Sequence, residues 1–422
     1  MYVKTVYLVS ITIAKRGKLS AIGITQRLYK RHMRFMNGGA MDFDLSEHHL
    51  ILKETIRRFA AQEIAPRAAT MDRDETFDEH LWEKGRELGF VGMGISQEYG
   101  GSFIDFLSLG IMAEEVSKVD PGVAVVFGAH SVLCGNNIER NGTDEQKNKY
   151  LPLLASGKMR GCMGITEPGA GSDALSIRTR ARKVGKEYVI TGSKMFISNA
   201  PFADVALIYA TTDPSQGPKG LSAFIVEETF PGYTRGKKLS KMGLRSSPTG
   251  EIILEDCRVP EENLLGGIEG TGLSVMFSGL DVERILWSAQ AIGIAQAAFD
   301  AALKYAKERQ QFSQPIITFQ MIQDKLASML VEIEAARLLA YKGLACLDSG
   351  KKRQTRMIAA QVKLYACEMV NRITSEALQI HGGYGYMKEF PLERYLRDGR
   401  AYAIGAGTSE IQKLIIGGYL MA

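Results

Sequence analysis

Apolar positions change their period twice along the chain and divide it into three stretches. From Leu45 to about Gly161 they recur every three to four residues. "SEHHLILKETIRRFAAQEIAPRA" opens on Ser46 in a capping position and places Leu50, Ile51, Ile56 and Phe59 near one face. "TDEQKNKYLPLLASG" opens on Thr143 with Gln146 three residues on, a capping box. From about Met163 to Leu265 come short β-rich runs, "EYVITG", "DVALIYAT", "LSAFIVE" and "GEIILEDCRV", parted by Gly, Pro and Asp clusters. After Gly272 the helical period returns over 273–311, about 319–349, about 354–382 and a last segment from about 408, with "SGKKRQT" (349–355) as a polar connector. The pattern predicts an α+β chain: an N-terminal helical domain over 41–161, a middle antiparallel β domain over 162–270, and a C-terminal helical domain over 271–422.

Charge changes this picture only at the N-terminus. Residues 1–40 carry Lys4, Lys15, Arg16, Lys18, Arg27, Lys30, Arg31 and Arg34 and no acid, so the net +5 of the 422-residue chain becomes −3 for the remainder. Nucleic acid is therefore not expected as a partner. The basic leader reads either as an organelle transit peptide, implying the mitochondrial matrix, or as a start assigned too early, with Met41 opening the body of a cytoplasmic bacterial protein. No apolar run reaches the roughly 20 residues a membrane helix needs. Five scattered cysteines without a CxxC pair suit a reducing compartment and argue against a structural zinc site.

The densest chemistry lies in "MGITEPGAGSD" (163–173). Gly169 and Gly171 allow close approach of the backbone to a ligand, and Thr166 and Ser172 offer hydroxyls. Alone, this segment reads equally well as a plain glycine turn. Its neighbours decide. "QIHGGYG" (379–385) and the set Arg309, Phe312 and Gln320 follow in order, and together these motifs resemble the acyl-CoA dehydrogenase family from about Leu45 to the C-terminus.

The resemblance implies a C-terminal four-helix bundle and a homotetramer binding FAD and an acyl-CoA, with electron-transferring flavoprotein as acceptor. Carried over by position, Met163, Ile165, Thr166, Ser172, Phe196, Ile197 and Ser198 would line the flavin. Arg309, Phe312, Gln320, Gln379, Gly382 and Gly383 would hold the adenine-diphosphate half, and Thr408, Ser409 and Glu410 would meet FAD phosphates at a helix start. Phe196 stands where the family usually has tryptophan, and Ser313 where it has glycine. His381 has no second ligand near it in sequence, so packing is expected of it and no metal is expected of the chain.

Dehydrogenation at Cα–Cβ needs a base for the α-proton while the β-hydrogen leaves as hydride to flavin N5. In most of the family the base is a glutamate just before the Gly-Thr of the last turn, which here is Ala406. A subset that includes isovaleryl-CoA dehydrogenases carries it instead in Ser-Gly-Leu-Asp-x-Glu-Arg, matched by residues 278–284, so Glu283 is the expected base. Its helical neighbours Gly279, Leu280, Leu286 and Trp287 are uncharged, which should desolvate it and raise its pKa. Asp281 and Arg284, three apart, read as an ion pair on a solvated face, with a CoA contact as the other role for Asp281. The Ala406 N–H would polarise the thioester carbonyl, with Gly407 beside it. Lys219 and Arg245 would meet CoA phosphates.

A short branched acyl group, such as isovaleryl, is the leading substrate. Ser274, where the isovaleryl enzyme has tyrosine, keeps a bulky, cyclic, aromatic or 2-substituted succinyl group in play, and a straight medium chain also stays open. Val123-Ala124-Val125 lacks the arginine that clamps a glutaryl carboxylate. An acyl-CoA oxidase and an inactive assembly factor are the remaining alternatives.

Overall fold

The structure, a computed structural model, describes residues 45–350 and 352–421; the basic leader lies outside them. Helix α1 (Glu47–Phe59) passes through a π-helical turn into α2 (Ala65–Asp74), followed by α3 (Glu79–Glu87) and α4 (Phe106–Ser117). Aspartates start several of these helices. Asp78 accepts from the His80 N–H, and Asp105 from that of Ser108. Asp120 opens α5 (Pro121–Gly128) by accepting from the N–H groups of Gly122 and Val123. A π-helical segment (Ala129–Asn136) leads into α6 (Asn137–Asn141). The capping box of α7 (Asp144–Ala155) is complete, with Thr143 and Gln146 bonded reciprocally. The stripe expected on α1 is only half realised: Ile56 and Phe59 are buried, whereas Leu50 and Ile51 are exposed. At about 100° per residue, Ile51 and Ile56 point roughly 140° apart, so one core face cannot take both.

The middle stretch forms a mixed sheet of β1 (Gly161–Gly164), β2 (Arg180–Val184), β3 (Glu187–Ser198), β4 (Val205–Thr211), β5 (Leu221–Glu227), β6 (Tyr233–Lys238) and β7 (Thr249–Pro260). The order is β1-β4-β2-β3-β7-β6, with β5 also on β4. Most pairs are antiparallel, as expected, but β1 and β2 each run parallel to β4. Every residue of β4 is buried. Its Leu207 and Tyr209 pack with Ile165, Val275 and Met276, and its Ala206 and Ile208 pack with Phe224 and Ile252 on the opposite face. Burial on both faces explains why "VALIYAT" is continuous rather than alternating.

Helix α8 (Gly272–Glu308) opens the C-terminal stretch. A small hairpin of β8 (Gln310–Gln311) and β9 (Gln314–Pro315) leads to α9 (Gln320–Asp348), α10 (Lys352–His381), α11 (Leu392–Tyr402) and α12 (Ser409–Met421). The sequence pattern had not marked α11. Helices α8 and α10 run parallel in a register set by side chains: Arg356 lies 4.6 Å over the Phe277 ring, Cys367 lies beside Ser288, and His381 stacks on Tyr305 at 4.3 Å. Their shared apolar core includes Ile292, Ala295, Val362, Ala366 and Val370.

Candidate active site

Glu283 projects from the second quarter of α8. Its side chain is partly accessible although protein surrounds it closely, the mark of a group lining a recess. Burial raises its pKa to about 7, against the opposing pull of Arg284 and Lys363. Tyr209 of β4 reaches the same region. Burial, and then the charge of Glu283, push its phenol upward. Its fully buried hydroxyl has no hydrogen-bond partner among the described residues. One turn before Glu283, Gly279 leaves room for Asn137: a Cβ there would stand 2.5 Å from the Asn137 Nδ2. That amide donates to the Leu133 carbonyl at 2.8 Å and lies 3.7 Å from the Met163 sulfur. The π-helical segment, β1 and α8 therefore meet beside the turn that carries Glu283.

The turn before α12 is pinned to that same part of α8. Trp287 donates its indole N–H to the Tyr402 carbonyl at 3.2 Å, and a Cβ on Gly405 would stand 2.8 Å from the indole ring. Arg284 Nε donates to the Ala406 carbonyl at 3.4 Å, and Gln412 to the Gly407 carbonyl at 2.8 Å. Ala406 takes φ 54° and Gly407 φ 87°, left-handed values that a non-glycine residue adopts at a cost of about 1 kcal/mol or more. Position 406, which lacks a carboxyl group, thus rests on the helical turn that bears Glu283. Arg284 and Asp281 do pair, at 3.1 Å, but they are buried rather than on a solvated face. Arg356 completes the group by donating to Asp281 at 3.3 Å. Three elements converge there, which explains the burial.

The loop 164–173 is held from beneath. The Glu167 carboxylate accepts from the N–H groups of Arg178 and Thr179, from the Thr179 hydroxyl, and from Lys194 Nζ at 2.7 Å. Lys194 also donates to the Ile165 carbonyl at 3.2 Å. Burial lowers the Lys194 pKa to about 8, and burial of Glu167 is outweighed by this ammonium, which holds the carboxyl below its usual range. The pair is therefore ionised at neutral pH. Above it, Gly169 and Gly171 face open space, Thr166 is half-buried and Ser172 exposed. Phe196 sits at a bulge of β3 with φ 61° and its ring is exposed. Met163 is half-buried, and Ile165 packs in the core cluster that holds Tyr209. The Ile197 side chain points the other way. It is buried in the core on the sheet's other side, because alternation along the strand turns it away from Phe196, and only its backbone can meet a ligand. Ser198 is half-buried.

The second and third motifs also meet. Arg309 lies 5.6 Å over the ring of Tyr384, which follows the exposed Gly382 and Gly383. Gln320 and Gln379 are exposed, and Phe312 is 89% exposed with φ 50°. Ser313, in the usual glycine position, has φ 64°, so the left-handed backbone survives the change of residue. Thr408 caps α12 through the Ile411 N–H, and Glu410 is exposed beside it. Ser409 departs from expectation: its hydroxyl is buried and bonded to Glu368 of α10, so it is not available to a phosphate. Lys219 is exposed, and its carbonyl approaches Gly270, near the start of α8 where Ser274 is exposed. His381 Nδ1 donates to the Ala377 carbonyl of its own helix at 2.9 Å and the ring stacks on Tyr305, a packing role. Sequence reasoning missed Tyr209, Lys194 and Lys363, whose neighbours in space are distant along the chain.

Models of the acyl-CoA dehydrogenase N-terminal, middle and C-terminal domains match residues 46–158, 162–257 and 270–421. The mitochondrial isovaleryl-CoA dehydrogenase of Oryza sativa is 41% identical over 96% of this chain and 96% of its own length. Among solved structures, butyryl-CoA dehydrogenase from Megasphaera elsdenii superposes with a TM-score of 0.88 at 41% identity, covering 90% of this chain and 100% of that one. A glutaryl-CoA dehydrogenase in complex with glutaryl-CoA does so at 0.87 and 40%, covering 90% and 97%. The chain belongs to the acyl-CoA dehydrogenase family, FAD-dependent oxidoreductases that act on acyl-CoA thioesters. No helix among the described residues is long and apolar enough to cross a membrane.

Proposed function

We propose that Glu283 removes the α-proton of a short branched acyl-CoA, such as isovaleryl-CoA. One observation carries this reading: a carboxyl group whose pKa is raised to about 7 sits on the helical turn against which the acid-free Ala406 turn is packed. FAD, when bound, supplies the acceptor for the β-hydrogen. Met163, Ile165, Thr166, Ser172, Phe196 and Ser198 would hold its ring, and Arg309, Phe312, Gln320, Gln379, Gly382, Gly383, Thr408 and Glu410 its other half. The Ala406 N–H would bind the thioester oxygen, stabilising charge that develops as the proton leaves. Asp281, Arg284, Lys219 and Ser274 would contact the CoA and acyl parts. The base works only when ionised. Flavin reduction at limiting substrate should therefore fall about tenfold per pH unit below roughly pH 6 and level off above roughly pH 8. Anaerobic rapid mixing across that range reads it, and a rate that stays flat down to pH 5 would contradict the assignment.

The branched acyl group is supported by the similarity to the isovaleryl enzyme and by the alanine at 406, which frees space that a glutamate would fill. Val123, Ala124 and Val125 are buried and offer no cation, which speaks against a glutaryl group. A bulkier or cyclic acyl group has one observation in its favour: the exposed Ser274 turns its hydroxyl back onto the Thr271 carbonyl at 2.8 Å and leaves the space beside it clear. Anaerobic bleaching by a panel of thioesters separates these readings. Isovaleryl-CoA is expected to bleach the flavin at least tenfold faster than butyryl- or octanoyl-CoA, because each methylene of misfit costs about 1–3 kcal/mol. Equal rates would remove the branched pocket, and fastest bleaching by an aromatic or substituted succinyl thioester would install the second reading. Assembly as a homotetramer is supported by apolar side chains that stand exposed on the C-terminal stretch, among them Phe312, Met321, Val331, Leu414 and Leu420. Electron-transferring flavoprotein is the proposed acceptor.

A further inference from the structure

Lys363 of α10 is fully buried, and its ammonium has no hydrogen-bond partner among the described residues. The register of the two parallel helices fixes what it faces. Arg356, two turns earlier, touches Phe277 and Asp281, and Cys367, one turn later, lies beside Ser288, so Lys363 lies opposite the turn carrying Glu283 and Arg284. Its charged and titratable neighbours are Glu283 and Arg284 from α8, Cys367 and Glu368 on its own helix, and Glu410 from α12. Several of these are occupied elsewhere. Burial keeps the Cys367 thiol neutral by pushing its pKa up to about 12, Glu368 takes the Ser409 hydroxyl, Glu410 is exposed at the start of α12, and Arg284 has Asp281. Glu283 forms no ion pair among the described residues.

A buried ammonium without a partner destabilises a fold, and a methionine of the same length would fill the space without that cost. Packing therefore does not account for the residue. We infer that Lys363 is a positioning residue for proton abstraction: its charge, held by helix register against the base-bearing turn, favours the ionised form of Glu283. The electrostatics are reciprocal. Burial drives Lys363 down while Cys367 and Glu283 draw it up, and Arg284 and then Lys363 hold Glu283 below the value burial alone would impose.

This inference rests on Glu283 being the base, and the test separates the two. Lys363→Met and Lys363→Gln remove the charge with different packing. In the FAD-loaded protein, anaerobic reduction by isovaleryl-CoA should show its acid limb moved upward by on the order of one pH unit in both, with the rate at high pH within about twofold of the parent. The methionine variant should melt no lower than the parent. An unmoved limb, or a methionine variant that does not fold, overturns the proposal, because the lysine would then be electrostatically idle or structural. If Glu283→Gln still reduces flavin, the base assignment itself falls. If that variant is inert while the limb stays put in both Lys363 variants, only the role of Lys363 falls.

Discussion

Exchanging Glu283 for glutamine is expected to slow flavin reduction by any acyl-CoA at least a thousandfold while FAD and thioester binding persist. The amide has the same shape but cannot accept the proton, and general-base removal alone is worth about 10²–10⁴ in rate. The thioester should still bind, because the Ala406 turn and the Arg284 contacts do not depend on the carboxyl group. A second effect has the opposite sign. The folded-state pKa near 7 lies above the ordinary carboxyl value of 4.5, so the folded protein holds more protons than the unfolded chain between those pH values. Stability is therefore lost as pH rises through that window, and the glutamine variant should exceed the parent by on the order of 3 kcal/mol at pH 8 while matching it near pH 4.5. Stopped-flow bleaching reads the first effect and denaturant unfolding at the two pH values the second. Retained reduction would remove Glu283 from the mechanism.

Lys194→Met is expected to destabilise the protein by about 3–5 kcal/mol and to strip much of its FAD. The substitution leaves the Glu167 carboxylate buried at 7% exposure without its cation and frees the Ile165 carbonyl. Both atoms belong to the loop that presents Thr166. The partner variant Glu167→Gln should lose less, because the glutamine oxygen can still accept from the Thr179 N–H or hydroxyl, and the double variant should recover part of the single-variant deficit. The flavin-to-protein absorbance ratio after gel filtration, together with the unfolding midpoint, measures both. A Lys194→Met protein that keeps its flavin and midpoint would show that the pair does not set the loop.

Much of this site was legible because its residues lie in short contiguous motifs. The change of period from about 3.6 to 2 and back placed the helical and β stretches, and Gly279, Leu280, Leu286 and Trp287 marked Glu283 as desolvated before any coordinates. Non-local features were not legible. Helix α11 is short, rich in charge and follows Pro391, so its apolar positions, chiefly Leu392 and Tyr395, are too few to set a period. That Ser409 is consumed by Glu368, or that Lys363 faces Glu283, follows from packing between segments far apart in sequence. The burial of the Ile197 side chain was not legible because a stretch at a β-bulge presents alternate residues to opposite sides, and the motif alone does not say which.

The left-handed alanine at 406 shows a binding turn that keeps its shape without carrying the reactive group. Here the proposed proton acceptor belongs to a helix of 37 residues whose flanks are packed along its length, while the turn only leans on it. Fraying of the final helix would consequently loosen the grip on the dinucleotide end yet leave the acid–base centre in register. In relatives that keep the carboxylate on the turn itself, one local opening would disable both at once.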